Sequence, residues 1–318
     1  HGYFRAHLRR DLEQGASVLA DIRSCLQFQA SLPLTALISP NIVVRRSLDS
    51  IEGVIAKNFI RNATDIAHEV APDRELYVTL AISHAALADK GELEAFLQEI
   101  TELDNPPTGF YLILNKLDAT APTTITESDD LARWMLVNYS LKVSGFKVIN
   151  GYTDLLAPYI AATGADAAAC GWFGTLKSFS LHKFEPNESR GARPVPRYTS
   201  VNLLKSIRHT ELDALRRFIP DVLNGLAGDD NYDPEDGSRP DTTSEAVQNW
   251  EAIGAMIAKC QRSSAAASLA ACTAALDEAE NLYGSINLSG YSLLERSNSD
   301  HIEAIREELS EFADLAEL

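Results

Sequence analysis

The chain has 318 residues, 45% of them hydrophobic, and a formal net charge of −17. That composition excludes a disordered or fibrous protein and allows two or three folding units around a sizeable core. No apolar run approaches the roughly 20 residues of a spanning helix. The first ten residues, HGYFRAHLRR, are basic and amphipathic without an apolar secretory core, and a start at His1 is expected of a processed or truncated chain. The simplest expectation is a cytoplasmic protein with no membrane contact.

The charge is uneven. Residues 1–200 carry 19 Lys and Arg against 23 Asp and Glu, whereas residues 201–318 carry 9 against 22. So acidic a second part repels nucleic-acid phosphates, which leaves only a local basic groove in the first part as a nucleic-acid surface. Arg190, Arg193 and Arg197 are the nearest thing to one, and the Pro and Gly among them read as an exposed linker. The four cysteines, Cys25, Cys170, Cys260 and Cys272, form no C-x-x-C pair and have no histidine at ligand spacing. Buried free thiols are expected, with neither a zinc site nor a disulfide framework.

In chain order, short β-rich runs alternate with helical patterns up to about residue 185. The runs are 17–22 (SVLADI), 34–38, 75–82, 109–115, 146–150 and 166–170. Several are apolar without alternation, as strands buried on both faces should be. Between them Leu48, Ile51, Ile55, Phe59 and Ile66 recur at helical spacing, as do Leu93, Phe96, Leu97 and Ile100, and then Leu131, Trp134, Met135, Asn138 and Leu141. The clearest unit is 146–174, a strand, helix and strand with the size of a βαβ crossover, which requires parallel strands. No strand is followed by G-x-G-x-x-G, so the main sign of a dinucleotide-binding sheet is absent and no cofactor is expected. The alternation favours an α/β fold of (β/α) TIM-like barrel type over an open sheet, with the first two units missing from this chain or as a six-strand derivative.

Residues 1–186 are thus read as a barrel and 187–200 as a linker. Residues 201–318 are read as an acidic helical region, with a mobile loop near 228–241. Val201, Leu204, Ile207, Leu212, Leu215 and Phe218 mark a helix or a broken pair. Asp229, Asn231 and Asp233 imitate a calcium loop, but Pro234 stands where that loop needs glycine. Three more helices follow, with stripes at Val247, Trp250, Ile253 and Ile257, at Leu269, Cys272, Leu276 and Tyr283, and at Ile302, Ile305, Leu309, Phe312 and Leu315. Short helices like these need a covering surface, either the barrel flank or another chain, so a protein partner or homo-oligomer is expected there.

In parallel α/β folds, functional groups gather at the carboxyl ends of strands. That rule selects Asp21 with Arg23, Ser39 with Asn41, Ser83 with His84, Asn115 with Lys116, then Asn150, Gly151, Tyr152 and Asp154, then Gly171, Trp172 and Lys177. Asp21 and His84 are the candidates for moving protons; Asn41, Asn115, Lys116, Asn150, Gly151, Tyr152, Gly171 and Trp172 are candidates for holding a planar polar ligand. The bland readings are that Asp154 caps the helix after it, Asn41 is a turn residue and Lys116 and Lys177 are solvated. Trp172 is either a lid over the mouth or a core residue.

The segment Asn150-Gly151, Leu155, Gly164-Ala165-Asp166 and Cys170 resembles the closing strands of tRNA-guanine transglycosylase-type barrels, over about thirty residues. The family's nucleophilic aspartate falls on Ala169 here and its cysteine-rich zinc site has no counterpart, so its covalent mechanism is not expected. The GADxxxxG-like closing strand also resembles that of phosphate-binding barrels. That likeness implies an anion cradle in the backbone amides of 171–175, with Gly171 and Gly174 allowing close approach. Together these imply a barrel enzyme or enzyme-like protein, transferase- or hydrolase-type, acting on or binding a nucleobase, nucleotide or other phosphorylated small molecule. The alternative is a non-catalytic barrel subunit that serves as an interaction module.

Overall fold

The computed structural model describes residues 7–116, 131–172, 176–184, 195–232 and 239–318. The chain divides into two units, one of His1–Leu117, Val137–Gly151 and Ala165–Ala167, the other of Asp118–Leu136, Tyr152–Gly164 and Ala168–Leu318.

The first unit begins with α1 (Arg9–Leu12) and α2 (Gly15–Ala30), followed by the short strands β1 (Ala36–Ile38) and β2 (Val43–Val44). Then come α3 (Ile51–Val70), β3 (Glu75–Ser83), α4 (Lys90–Thr101), β4 (Gly109–Asn115), the second half of α5 (Leu131–Val143) and β5 (Lys147–Gly151). After α6 (Ala157–Ala162) comes β6 (Ala167–Ala168). The sheet has the order β1-β3-β4-β5-β6, with β2 also on β3. Every pair from β1 to β5 is parallel. The hydrogen-bonded path is open: β1 and β2 share one flank of β3, and β6 ends the other side. The protein is therefore a mixed α/β structure with a mostly parallel sheet.

Local chemistry sets the helices. Ser50 caps α3 by accepting from the Gly53 amide, and Asp89 caps α4 by accepting from the Glu92 amide. Glu92 also accepts from the Ser47 hydroxyl at 2.7 Å and the Leu48 amide at 3.0 Å, which ties the loop before α3 to α4. The Gly-Ala-Asp turn has a structural role: Asp166 accepts from the Val148 amide at 2.7 Å and from Lys142 Nζ at 2.8 Å, aligning β6 beside β5.

One expected strand is a helix. SVLADI lies inside α2, where Val18, Ile22 and Leu26, four residues apart, form one buried face that packs on α3. A six-residue apolar run cannot by itself distinguish a buried strand from a helix turn, and the longer period decides. Asp21 and Arg23 are consequently on a helix, not at a strand end. β2 replaces SVLADI as the sixth strand.

The second unit carries the hairpin β7 (Arg197–Ser200) and β8 (Lys205–Arg208), α7 (His209–Leu215), and three long helices, α8 (Thr242–Cys260), α9 (Ala265–Leu288) and α10 (Asp300–Leu315). The hairpin corrects two expectations. Arg197 and Tyr198 lie in a strand where a linker was expected, and the stretch from Val201 to Phe218 is neither one helix nor a broken pair, since it holds β8 before α7. Its turn holds Leu204 at φ 52°, a left-handed position that forces the chain back on itself. In the expected mobile loop, Gly228 and Tyr232 are buried, and Asp229 accepts from the Tyr198 hydroxyl and the Gly225 amide, both at 2.8 Å. Residues 233–238 of that loop, with the Asp233 and Pro234 of the calcium-loop comparison, lie outside the described residues.

The three expected C-terminal helices are present. α8 and α9 pack on each other and on α6, and α10 packs on α9. The buried face of α8 runs through Ala252, Ile253, Met256 and Cys260, while Val247 and Trp250 of the expected stripe are exposed. Polar groups lock the hairpin within this unit. Buried Glu211 accepts from the Leu294 amide at 2.7 Å, the Arg208 amide at 3.0 Å and the Ser297 hydroxyl at 2.5 Å. Lys205 Nζ donates to the Asn298 carbonyl at 2.8 Å, and burial pushes this ammonium down to about 8. His301 Nε2 donates to the Leu203 carbonyl at 3.1 Å as a neutral ring, and burial, aided by the nearby Lys205 charge, pushes its pKa down to about 3.

His301 dictates a pH dependence. The unfolded chain takes up this proton near pH 6.5 and the folded chain only near pH 3, so the unfolded state binds more protons between those limits and stability falls as pH drops. From pH 7 to pH 5 this group alone removes about 2 kcal/mol. His301→Gln keeps a donor for Leu203 without the titration. Urea unfolding at the two pH values should show the wild type losing that much more than the variant; equal losses would mean His301 is not buried neutral.

Candidate functional site

The sequence-selected residues divide between the two units. In the first, Asp21 is half-buried on α2 and pairs with His7 Nε2 at 2.8 Å, while Arg23 pairs with Glu69 at 2.6 Å. Both groups are occupied by side-chain partners within the first unit. His84 opens the 3₁₀ turn that follows β3. Asn41 bridges the break between β1 and β2: its Nδ2 donates to the Thr79 carbonyl at 2.6 Å, and Ser39 accepts from both the amide and the hydroxyl of Thr79. Asn115 donates to the Ser83 hydroxyl at 2.7 Å at the ends of neighbouring strands, and Lys116 follows it, half-buried. Asn150 is fully buried and donates to Asn138 Oδ1 at 2.6 Å, with its own Oδ1 unpartnered. Gly151 leaves room for the Tyr111 hydroxyl, which a Cβ there would have to displace. These asparagines act chiefly as internal supports of the sheet.

The second unit holds the more unusual group. Immediately after β5, Tyr152 has φ 61° and Asp154 φ 43°, two left-handed non-glycine residues within three positions. Thr153 between them donates through both its amide and its hydroxyl to the Ala169 carbonyl, each at 3.1 Å. This pair of hydrogen bonds fixes the strained turn against the residue preceding Cys170. Asp154 does not cap a helix with its side chain; it is 2% exposed and turns toward Cys170 and Lys177. Its Oδ1 accepts from the Cys170 thiol at 3.4 Å and lies 3.7 Å from Lys177 Nζ, and its Oδ2 has no hydrogen-bond partner among the described residues. Lys177, for which the sequence left a solvated and a phosphate-binding role equally open, has a side chain only 13% exposed.

Helix α8 completes the cluster. Gln248 and Asn249 grip β7 through Thr199: the Thr199 amide donates to Gln248 Oε1 at 3.0 Å and its hydroxyl to Asn249 Oδ1 at 2.7 Å. Thus oriented, Asn249 Nδ2 donates to Cys170 Sγ at 3.4 Å and Trp250 Nε1 to the Cys170 carbonyl at 3.0 Å. Burial, then the negative Asp154, push the Cys170 thiol up to about 12 against the opposing pull of Lys177. The sulfur is therefore a protonated donor to Asp154 and not a nucleophile. Burial also raises Glu245, again opposed by Lys177. Tyr152 packs on Phe179 at 5.4 Å and Phe179 on Phe184 at 5.8 Å, while Trp172 and Trp250 are 46% and 47% exposed. Gly171 has no room for a side chain, which would strike the Leu176 carbonyl. The amides of 173–175 in the expected phosphate cradle lie outside the described residues. Among the described residues no group of three or more His, Cys, Asp or Glu could hold a metal ion, and no helix is long and apolar enough to cross a membrane.

Asn249 and Trp250 had no sequence signal beyond helical spacing, and Asp154, Cys170 and Lys177 each carried an ordinary reading. No short motif links them, since 16 residues separate Asp154 from Cys170. No family model, no curated protein and no solved structure matches the chain.

The electrostatics give opposite effects for two variants. Asp154→Asn removes the negative neighbour and should lower the Cys170 pKa; Lys177→Met removes the positive one and should raise it. Iodoacetamide labelling of Cys170 at pH 8, followed by peptide mass analysis, should be slow in the wild type, faster in Asp154→Asn and slower still in Lys177→Met. Rapid labelling of the wild type would contradict this arrangement. Gly171→Ala should cost roughly 1–3 kcal/mol by overpacking, read as a lower urea midpoint.

Proposed function

We propose that this chain is an enzyme of the parallel (β/α) class, a barrel or a derivative of one, acting on a nucleobase, nucleotide or other phosphorylated small molecule with Asp154 as its reacting carboxylate. The observation that carries the reading is the buried Oδ2 of Asp154, which has no hydrogen-bond partner among the described residues and sits on a left-handed backbone. A buried acceptor without a donor costs about 1–3 kcal/mol, and left-handed non-glycine residues add a similar amount each. Such a combination is retained where a ligand completes it. A ring N–H or exocyclic amino group would supply the missing donor, and the aromatic rings of Tyr152, Phe179, Trp172 and Trp250 suit a planar ligand.

Two further observations support the reading. The strand order follows the sequence without reversal, as in a barrel and unlike a doubly wound sheet with a switch point. In the transglycosylase-type resemblance the nucleophile's position falls on Ala169, and Asp154 bonds the thiol of the next residue, Cys170. A carboxylate from the preceding strand thus reaches the same neighbourhood and can accept a proton from, or attack, a bound nucleoside-like molecule. Lys177 Nζ and the Cys170 thiol both face Oδ1, which leaves Oδ2 for the reaction.

Calorimetric titration with free nucleobases, nucleosides, nucleoside monophosphates and sugar phosphates tests this. One class should bind the wild type, and Asp154→Asn should weaken that binding roughly tenfold to a hundredfold while Tm changes by no more than a few degrees. Failure of every class to bind, or equal affinity in the variant, would overturn the reading in favour of a non-catalytic interaction subunit.

A further inference from the structure

The side chains behind Asp154 form a continuous line of hydrogen bonds that begins in the β7–β8 hairpin. Ser206 Oγ of β8 and Thr199 Oγ1 of β7 lie 2.8 Å apart, and the Thr199 hydroxyl donates to Asn249 Oδ1 at 2.7 Å. Asn249 Nδ2 donates to Cys170 Sγ at 3.4 Å, and the thiol donates to Asp154 Oδ1 at 3.4 Å. All these residues belong to the second unit, and all but the half-buried Cys170 are buried. A hydroxyl or a thiol has one hydrogen to give. Thr199 spends its hydrogen on Asn249, so Ser206 is the donor to Thr199. Asn249 accepts on its oxygen, so its nitrogen faces the sulfur. The other acceptor near the sulfur, the Gly171 carbonyl, is farther away at 3.7 Å. Every donor in the line therefore points the same way, from the hairpin toward the carboxylate.

We propose that this one-way line couples the hairpin to Asp154, with Thr199 and Asn249 as positioning residues that engage Oδ1 through the thiol and leave Oδ2 for a ligand. In the opposite direction Asn249, turned over, would donate to Thr199, the thiol would donate to Asn249, and Asp154 Oδ1 would lose the thiol. Stripping a buried carboxylate of a donor costs more than stripping a neutral amide or hydroxyl, so the charge sets the direction of the line. Aligned bonds also polarise one another, so loss of a distant donor weakens the last one. The architecture does not need the Thr199 hydroxyl. Gln248 holds the Thr199 backbone through both ends of its amide, at 3.0 and 2.8 Å, and Trp250 Nε1 holds the Cys170 carbonyl. The use of Oδ2 by a ligand rests on the reading of Asp154 as the reacting carboxylate; the direction of the line does not.

The test is the infrared S–H stretching band of Cys170 in the full chain, isolated by subtracting the spectrum of the same protein carrying Cys170→Ala. A thiol that donates less strongly absorbs at higher wavenumber. Thr199→Val, which keeps the shape and removes the hydroxyl, should move the band upward, and Thr199→Ser, which keeps the hydroxyl, should leave it in place. Asn249→Leu should move it further, and Thr199→Val added to Asn249→Leu should move it no more, because the line is already cut. A second arm is calorimetric titration with free nucleobases, nucleosides, nucleoside monophosphates and sugar phosphates. The class that binds the wild type should bind Thr199→Val roughly twofold to tenfold more weakly.

An unmoved band in Thr199→Val, an equal movement in Thr199→Ser, a further movement in the double variant or undiminished affinity in Thr199→Val would overturn the proposal. Failure of every class to bind the wild type counts against Asp154 as a reacting group, and the band then decides on the line by itself. Should Thr199→Val not fold, Ser206→Ala removes the first donor and should move the band the same way by a smaller amount; an unmoved band there overturns the proposal as well.

Discussion

β3 is nine residues long and its last eight are all buried. A strand with both faces in the core must have both edges paired and both faces covered. On one edge β4 answers it residue by residue from Tyr77 to Ser83. The other edge is shared by two short strands, β1 pairing with Glu75–Tyr77 and β2 with Ala81–Ile82. The gap between them is filled by side chains, since Ser39 and Asn41 bond Thr79 where a continuous strand would have offered backbone. The parallel direction follows from the same demand, because consecutive strands on one sheet separated by helices of this length return in the same sense.

The consequence for the site lies at the end of β5. The chain leaves the sheet at the carboxyl end of β5 and passes at once through two left-handed residues, Tyr152 and Asp154. The paired hydrogen bonds from Thr153 to the Ala169 carbonyl hold that conformation. They aim a carboxylate inward at a thiol and an ammonium instead of outward to water. The thiol is kept protonated by the same burial that isolates the carboxylate oxygen, so one physical cause sets both roles.

The buried polar groups of the second unit differ in kind. Glu211 has donors on both of its oxygens, Gln248 is bonded to β7 through both ends of its amide, and Asn249 bridges β7 and Cys170, so these side chains specify how the hairpin sits against α8. Asp154 Oδ2 and the Tyr159 hydroxyl have no hydrogen-bond partner among the described residues, as is also true of Ser180 Oγ and His301 Nδ1. In a close-packed interior the satisfied groups account for architecture.

The α/β class, the helices α3, α4 and α5, the strands β3, β4 and β5 and the three C-terminal helices were legible in the sequence. Their apolar periods run long enough to distinguish 2.0 from 3.6 residues per turn. SVLADI was not, because six residues fit either period and only the packing of Val18, Ile22 and Leu26 on α3 resolves them. The β7–β8 hairpin was hidden as well, since its strands are four residues each and its turn depends on Leu204 adopting a conformation no local residue preference announces. The rule that chemistry gathers at strand ends led to the neighbourhood of Tyr152 and Asp154 but ranked Asp21 above them. Sequence alone determined which residues could lie on one face of one element. Only the tertiary structure decided that Asp154, Cys170, Lys177 and Asn249 meet, because backbone strain, burial and long-range bonds arise between segments that no sequence period connects.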